Sequence, residues 1–207
     1  MTDFPAWLPE NVSRETINKL TEYSALAEKW SKKINIVSKN DLSRIWERHI
    51  CDSLQIWQPE IIPRNARWLD VGSGGGFPIV VIAILASQQD ANLTLSCVES
   101  DKRKCAFLRH VVQTLNLRLN VMSERVEHLT PQKADVLSAR AFSALPDLFR
   151  LTERHFTTDT VFLLQKGETW QEEIEIALKA WQFTYDSRRS KTNAKAALLE
   201  IRNVQRI

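Results

Sequence analysis

Apolar positions in the first quarter of the chain recur at helical spacing. Val12, Ile17, Leu20, Tyr23, Ala27, Trp30 and Ile34 return every three to five residues with charges between them, which predicts an amphipathic helix over 11–34. The stretch 38–41 offers an N-cap for a second helix running to about Trp57. Its apolar face is Leu42, Ile45, Trp46, Ile50, Leu54 and Trp57, and Pro59 and Pro63 close it. From Arg67 the pattern changes, and short apolar runs alternate with helical stretches. That alternation is the signature of a parallel sheet covered on both faces. After a first strand ending before Gly72, strands are predicted at 93–98, 120–122, 134–137 and 160–164. Helices are predicted from Pro78, from an N-cap at Asp101 to about Asn116, and over 168–181. Two closing strands, 183–186 and 197–204, flank a basic loop. The chain divides into an N-terminal helical extension (1–64) and a core (65–207), and the core is an α/β fold.

The first strand runs into Asp70-Val71-Gly72-Ser73-Gly74-Gly75-Gly76-Phe77, which holds four of the five glycines of the chain. Glycine is needed where the backbone turns into positive φ and a ligand must approach with no Cβ in the way. A dinucleotide fingerprint would place its third glycine at Phe77, and a Walker loop would need a following Gly-Lys-Ser or Gly-Lys-Thr, which is absent. The pattern GxGxG, with an acid two places before it, resembles the first motif of class I S-adenosylmethionine-dependent methyltransferases. There the turn lies against the methionine part of the cofactor. An ordinary glycine-rich turn is the competing reading. Glu99 ends the second strand, where a carboxylate can accept from two ribose hydroxyls at once. The 87–92 loop lengthens the gap from Gly72 to Glu99. Ligands of open α/β sheets sit at the carboxyl ends of the strands, so Asp70, Gly72, Gly74, Gly76, Glu99, Val126, Glu127 and Arg140 are expected to converge.

Composition narrows the class. Of 207 residues, 43% are hydrophobic and 26% charged, as in an ordinary soluble domain. No apolar run approaches the roughly 20 residues that span a bilayer. The opening MTDFPAWLPEN lacks a basic region followed by an apolar core, so no secretory signal is expected. Cys51, Cys97 and Cys105 fit buried thiols of a reducing cytoplasm, and with His110, His128 and His155 isolated no metal site is expected. The net charge is only +3, but cations cluster at Lys102-Arg103-Lys104 and at Arg188, Arg189, Lys191 and Lys195. Such clusters are an electrostatic footprint for phosphate or a solvated surface.

Two constellations bear on chemistry. His49, Asp52 and Ser53 share one face of the second predicted helix, and a polar face touching the neighbouring core is favoured over a triad or metal site. The fourth strand ends in Ser138-Ala139-Arg140-Ala141-Phe142. It carries no Asn/Asp-Pro-Pro-Tyr/Phe for exocyclic amines and no cysteine–proline pair for pyrimidine C5. An acceptor that already owns a lone pair, such as purine N7, needs only alignment. Arg140 is expected to face Glu127 or an RNA phosphate, because a bare cation beside a sulfonium is unfavourable.

Taken together, RHxxDSL over 48–54, LDVGSGGGFP over 69–78, SxRVE over 123–127, SARAF over 138–142 and LQKG over 164–167 resemble the bacterial 16S rRNA guanine-N7 methyltransferase family (RsmG, or glucose-inhibited division protein B). Ile79 stands where that family usually carries a further glycine. The resemblance implies a class I methyltransferase fold, Rossmann-like, with a mostly parallel seven-stranded sheet, an antiparallel last strand and an N-terminal helical cap. It implies S-adenosylmethionine as methyl donor and the guanine at position 527 of 16S rRNA as acceptor. Carried over by position, the cofactor contacts are Gly72, Phe77, Val126, Glu127 and Arg140, with Glu99 at the ribose by strand logic. His49, Asp52 and Lys166 become candidates on the substrate side. Arg188, Arg189, Lys191 and Lys195 become the RNA contacts of a cytoplasmic monomer that acts on 16S rRNA or the small ribosomal subunit. The competing functions are a non-catalytic RNA-binding or ribosome-assembly factor on the same fold, and a methyltransferase for a small metabolite.

Overall fold

A computed structural model describes residues 12–89 and 92–207. The opening stretch read for a secretory signal, the first residue of the predicted helix 11–34 and part of the 87–92 loop lie outside the described residues.

Seven strands form one sheet in the order β3-β2-β1-β4-β5-β7-β6. They are β1 (Arg67–Val71), β2 (Thr94–Glu99), β3 (Asn120–Ser123), β4 (Val136–Arg140), β5 (Val161–Lys166), β6 (Trp181–Arg189) and β7 (Ala197–Arg206). The first five pair in parallel, and β7 runs antiparallel to both β5 and β6. The expected sheet is present, with its reversed last strand. β1 is buried from Trp68 onward and β5 throughout, which is why both read as continuous apolar runs. The order reverses between β1 and β4, so the carboxyl ends of β1, β2 and β4 open onto one crevice.

Helices cover both faces. α1 (Arg14–Ser31) and, later in the chain, α3 (Ile79–Gln88) and α4 (Lys102–Thr114) pack on one side. α5 (Leu145–Thr152) and α6 (Trp170–Ala177) lie on the other. α3 is apolar on every side and buried from Ile79 to Ala86, so it is a core helix and has no solvent face. Ser13 caps α1 by accepting from Thr16 N–H, and Asp101 caps α4 by accepting from Arg103 N–H. α1 contributes Leu20, Tyr23 and Ala27 to the same apolar cluster as α3.

Two elements differ from expectation. Ser38 does act as an N-cap, but the second helix is not regular. A 3-10 segment (Lys39–Arg44) passes into a π-turn (Trp46–Cys51) and then a single α-turn, α2 (Asp52–Leu54). Ile45 and Ile50 are both buried, yet they stand five residues apart. Five residues overshoot one α-turn, and the wider i→i+5 turn brings both inward. The last predicted helix stops at Ala177, short of Trp181, which starts β6 instead. Trp181 packs against Phe149 with ring centroids 5.5 Å apart, while Ile176 and Leu178, apolar residues of the predicted helix 168–181, are exposed. Arg188 and Arg189 consequently lie on β6 and not in a loop.

α1 is fastened to the glycine corner by one side chain. Tyr23 is fully buried, and its hydroxyl donates to Gly75 O at 2.6 Å. Tyr23→Phe leaves that carbonyl without its donor, and a cost of about 1–2 kcal/mol is expected. Urea titration of the two proteins measures it; an unchanged midpoint would show that the hydroxyl carries no load.

Candidate active site

The glycine corner is a left-handed backbone. Gly72, Gly74 and Gly76 have φ of 64°, 54° and 90°. A Cβ on Gly72 would stand 2.2 Å from Phe142 Cδ2, and one on Gly76 would stand 2.5 Å from Val80 Cγ2. Both positions are therefore closed to side chains on strain and on space. Ser73 locks the turn: its N–H donates to Val98 O at 3.1 Å and its hydroxyl to Asp70 O at 3.1 Å.

Two acids stand behind the corner in different roles. Glu99 accepts from Gly74 N–H at 2.8 Å through Oε2 and from Asp101 N–H at 2.7 Å through Oε1. Each oxygen still has a lone pair, so the carboxylate can take ribose hydroxyls while holding the end of β2 against the corner. Asp70 is buried, accepts from the Ser138 hydroxyl at 2.6 Å through Oδ1, and has no partner at Oδ2 among the described residues. Trp68 Nε1 donates to Ser138 Oγ at 2.9 Å, completing a chain that crosses from β1 to β4. Burial pushes the Asp70 carboxyl up to about 7, against the hydrogen bond from Ser138. Its place under the turn makes it a support of the corner. Val126 and Glu127 follow β3 at the next strand end. Val126 O accepts from His155 Nε2 at 2.8 Å and Glu127 O from Arg154 Nη1 at 2.8 Å.

Arg140, at the end of β4, does not face Glu127. Its Nε lies 3.5 Å from Asp52 Oδ2, and its Nη2 donates to Arg48 O at 3.1 Å and to His49 Nδ1 at 2.8 Å. The π-turn is what aims His49 and Asp52 at the sheet. Because an arginine nitrogen can only donate, His49 Nδ1 must accept and the ring proton sits on Nε2. Burial, and then the Arg140 charge, push the His49 pKa down to about 4, so the imidazole is neutral at pH 7. His49 stacks on Phe77 with centroids 4.9 Å apart, and the Arg140 guanidinium stands 5.9 Å from the same ring. Phe77 thereby joins the corner to the arginine.

Asp52 gathers four further donors. Gln165 Nε2 reaches Oδ2 at 2.7 Å, while Thr192 Oγ1, Gln55 Nε2 and Ser190 Oγ reach Oδ1 at 2.6, 3.1 and 3.3 Å. Ser53, the third member of the sequence constellation, turns its hydroxyl back to His49 O at 2.6 Å and takes no part. Lys166 is a brace. Its Nζ donates to Ser143 O at 2.6 Å and to Glu173 Oε2 at 2.7 Å, and Glu173 Oε2 also accepts from Leu145 N–H. This fixes the segment 141–145, including Phe142, beside the corner. A cavity of about 440 Å³ opens between Arg140, Phe142, Gln165 and the 190–196 turn.

The basic residues of the tail flank the turn beside that cavity and are not among its lining residues. Arg188, Arg189, Lys191 and Lys195 are exposed around the turn that Ser190 and Thr192 tie to Asp52. Arg189 Nε also donates to Ala194 O at 3.0 Å, and Lys195 pairs with Glu168 at 2.8 Å. Gln165, Ser190, Thr192, Phe142 and Glu173 had no role in the sequence reading. Gln165 and Phe142 stood inside quoted motifs at strand ends, which was the available signal. Among the described residues no helix is long and apolar enough to cross a membrane, and no group of three or more His, Cys, Asp or Glu could hold a metal ion.

Comparison with known proteins gives the context. Residues 16–204 match the sequence model of the GidB family, described as rRNA small subunit methyltransferase G. The ribosomal RNA small subunit methyltransferase G of Ruegeria pomeroyi is 44% identical over 197 residues, covering 95% of this chain and 96% of its own. Its namesake from Paracoccus denitrificans is 41% identical over 194 residues, covering 92% and 96%. Among solved structures, the ribosomal protein L11 methylase of Lactobacillus delbrueckii subsp. bulgaricus superposes with a TM-score of 0.56 at 18% identity, over 74% of this chain and 76% of its own. M. jannaschii TYW2 in complex with AdoMet gives 0.56 at 13%, over 86% and 80%. At those identities the structures speak for the fold alone.

The buried acid under the corner makes stability depend on pH. Asp70 ionises near pH 4 in an unfolded chain and near 7 in the folded one. Its stabilising contribution is thus complete below about pH 4 and is lost as pH rises through 7. Asp70→Asn cannot ionise, so urea titrations from pH 4 to 8 are expected to show the wild type losing stability relative to the variant as pH rises. A difference that stays constant across that range contradicts the raised pKa.

Proposed function

This chain belongs to the GidB family of rRNA small subunit methyltransferase G proteins, and from that premise we propose that it methylates N7 of a guanine in 16S ribosomal RNA. S-adenosylmethionine, when bound, supplies an electrophilic methyl group on a sulfonium. The observation that carries the proposal is the junction of the side-chain-free corner with Glu99 and Arg140 at three neighbouring strand ends.

The residues fit that cofactor. At Gly74 an added Cβ would meet only Gly72 O at 3.8 Å, so the corner leaves open space there, and Glu99 keeps lone pairs for the ribose hydroxyls. Gly72, Gly74 and Phe77 border the methionine end, and Val126 and Glu127 the adenine. Asp70 and Gly76 hold the turn from behind. Arg140 can stand beside a positive sulfur because Asp52 faces it at 3.5 Å, so the pair presents little net charge.

The acceptor explains why no strong base is present. Purine N7 owns an in-plane lone pair and loses no proton before attack. Holding it in line is the main task, and orientation alone can supply several orders of magnitude in rate. His49, neutral and already accepting from Arg140, is a spacer in this scheme, and Asp52 and Lys166 are positioning residues. The exposed cations at Arg188, Arg189, Lys191 and Lys195 meet RNA phosphates next to the cavity. Three buried thiols and the ribosomal substrate fit a cytoplasmic protein.

The test is transfer of labelled methyl from S-adenosylmethionine to small-subunit RNA, with the product base identified by mass spectrometry. Wild type is expected to yield 7-methylguanine. Gly74→Asp is expected to stay folded by circular dichroism while cofactor binding weakens by more than about tenfold, because at this corner position an added Cβ meets only Gly72 O at 3.8 Å and the side chain projects into the space left for the cofactor. Normal affinity in the folded variant, or no methyl on guanine with wild type, contradicts the proposal.

A further inference from the structure

We propose that Gln165 reads the Watson–Crick edge of the target guanine, its Oε1 accepting from N1–H while Arg140 Nη1 donates to O6; this rests on the guanine reading above. Gln165 is only 8% exposed. Its Nε2 meets two acceptors, Asp52 O at 3.0 Å and Asp52 Oδ2 at 2.7 Å. An amide oxygen there would face oxygen on both sides, so the orientation is dictated by chemistry. Oε1 must turn the other way, and no donor meets it among the described residues.

Arg140 is in the mirror situation. Nε and Nη2 are taken up by Asp52, Arg48 O and His49, and Nη1 is buried with no partner among the described residues. Arg140 and Gln165 are register partners on β4 and β5, and both line the 440 Å³ cavity. Buried unpaired polar atoms are rare in folded proteins, and each calls for an explanation. A donor and an acceptor orphaned on adjacent strands, each on a residue that lines one cavity, point to a ligand that carries the complementary pair.

The order of the strands says which base. From β1 to β4 to β5 the crevice presents the glycine corner, then Arg140, then Gln165. Along the guanine edge the atoms run N7, O6 and N1–H. Guanine set in this order brings N7 to the corner, its O6 to a donor and its N1–H to an acceptor. Adenine in the same pose would turn its amine toward Arg140 and its N1 lone pair toward Gln165, two repulsions. Pyrimidines have no N7. Phe142 lines the cavity beside the corner and offers an aromatic face on which a splayed base can stack.

The test uses small subunits reconstituted with guanine or 2-aminopurine at the methylated position. 2-Aminopurine keeps N7 but lacks O6 and N1–H. Wild type is expected to favour guanine in kcat/KM by about 100-fold. Gln165→Met, which keeps the length and removes the amide, is expected to cut that preference to about tenfold, with the Kd for S-adenosylmethionine unchanged by calorimetry. A folded Gln165→Met protein that keeps the full preference overturns the assignment. Equal wild-type rates on the two bases overturn it without any variant. No methyl on either base would bring down the guanine methyltransferase reading, and this one with it.

Discussion

A backbone that can only be glycine sets the rest of this structure. The turn at 72–76 takes three left-handed conformations within five residues, and side chains of the folded core fill the space where Cβ atoms on Gly72 and Gly76 would go. Everything near it is arranged to hold that shape. Tyr23 anchors it from α1, Ser73 ties it to β1 and β2, and Glu99 clamps Gly74 to the start of α4. The carboxylate that steadies the turn is also the one left with lone pairs facing the crevice. In the proposed reading one group serves both support and recognition, so changing it disturbs both.

The second half of the site is organised by Asp52. It joins four separate stretches: its own short helix, the end of β4 through Arg140, the end of β5 through Gln165, and the basic turn through Ser190 and Thr192. A buried guanidinium is costly without a carboxylate partner, and here the partner also aims two neighbouring polar groups. The turn bearing the exposed cations is bonded to the residue that orders the cavity wall. In the proposed reaction, phosphates docked on that turn and a base seated in the cavity would share one frame.

Much of this was legible in the chain, because its signals are local. The apolar runs that became β1 and β5, the glycines after β1, and Glu99 at the end of β2 each declare themselves within a few residues. The resemblance to a known family added Phe77, Val126 and Arg140 by position. What stayed hidden was pairing across distance. Arg140 and Asp52 are far apart in sequence, and the π-turn that aims Asp52 at β4 follows from burying Ile45 and Ile50 together, a demand visible only once the sheet is in place. The end of α6 was misread for a related reason. Ile174, Leu178 and Trp181 have helical spacing, but Leu178 is exposed and Trp181 enters the core from a strand.

In the proposed reaction the corner and Glu99 seat an adenosyl cofactor with its sulfur end directed past Phe77 toward Arg140. A crystal structure with S-adenosylhomocysteine is the decisive test. It is expected to show ribose hydroxyls on the Glu99 carboxylate, backbone of 72–76 against the homocysteine, and the sulfur on the side of the Arg140–Gln165 cavity. Ligand bound elsewhere, or bound here with Glu99 untouched and the sulfur turned away from that cavity, would contradict it.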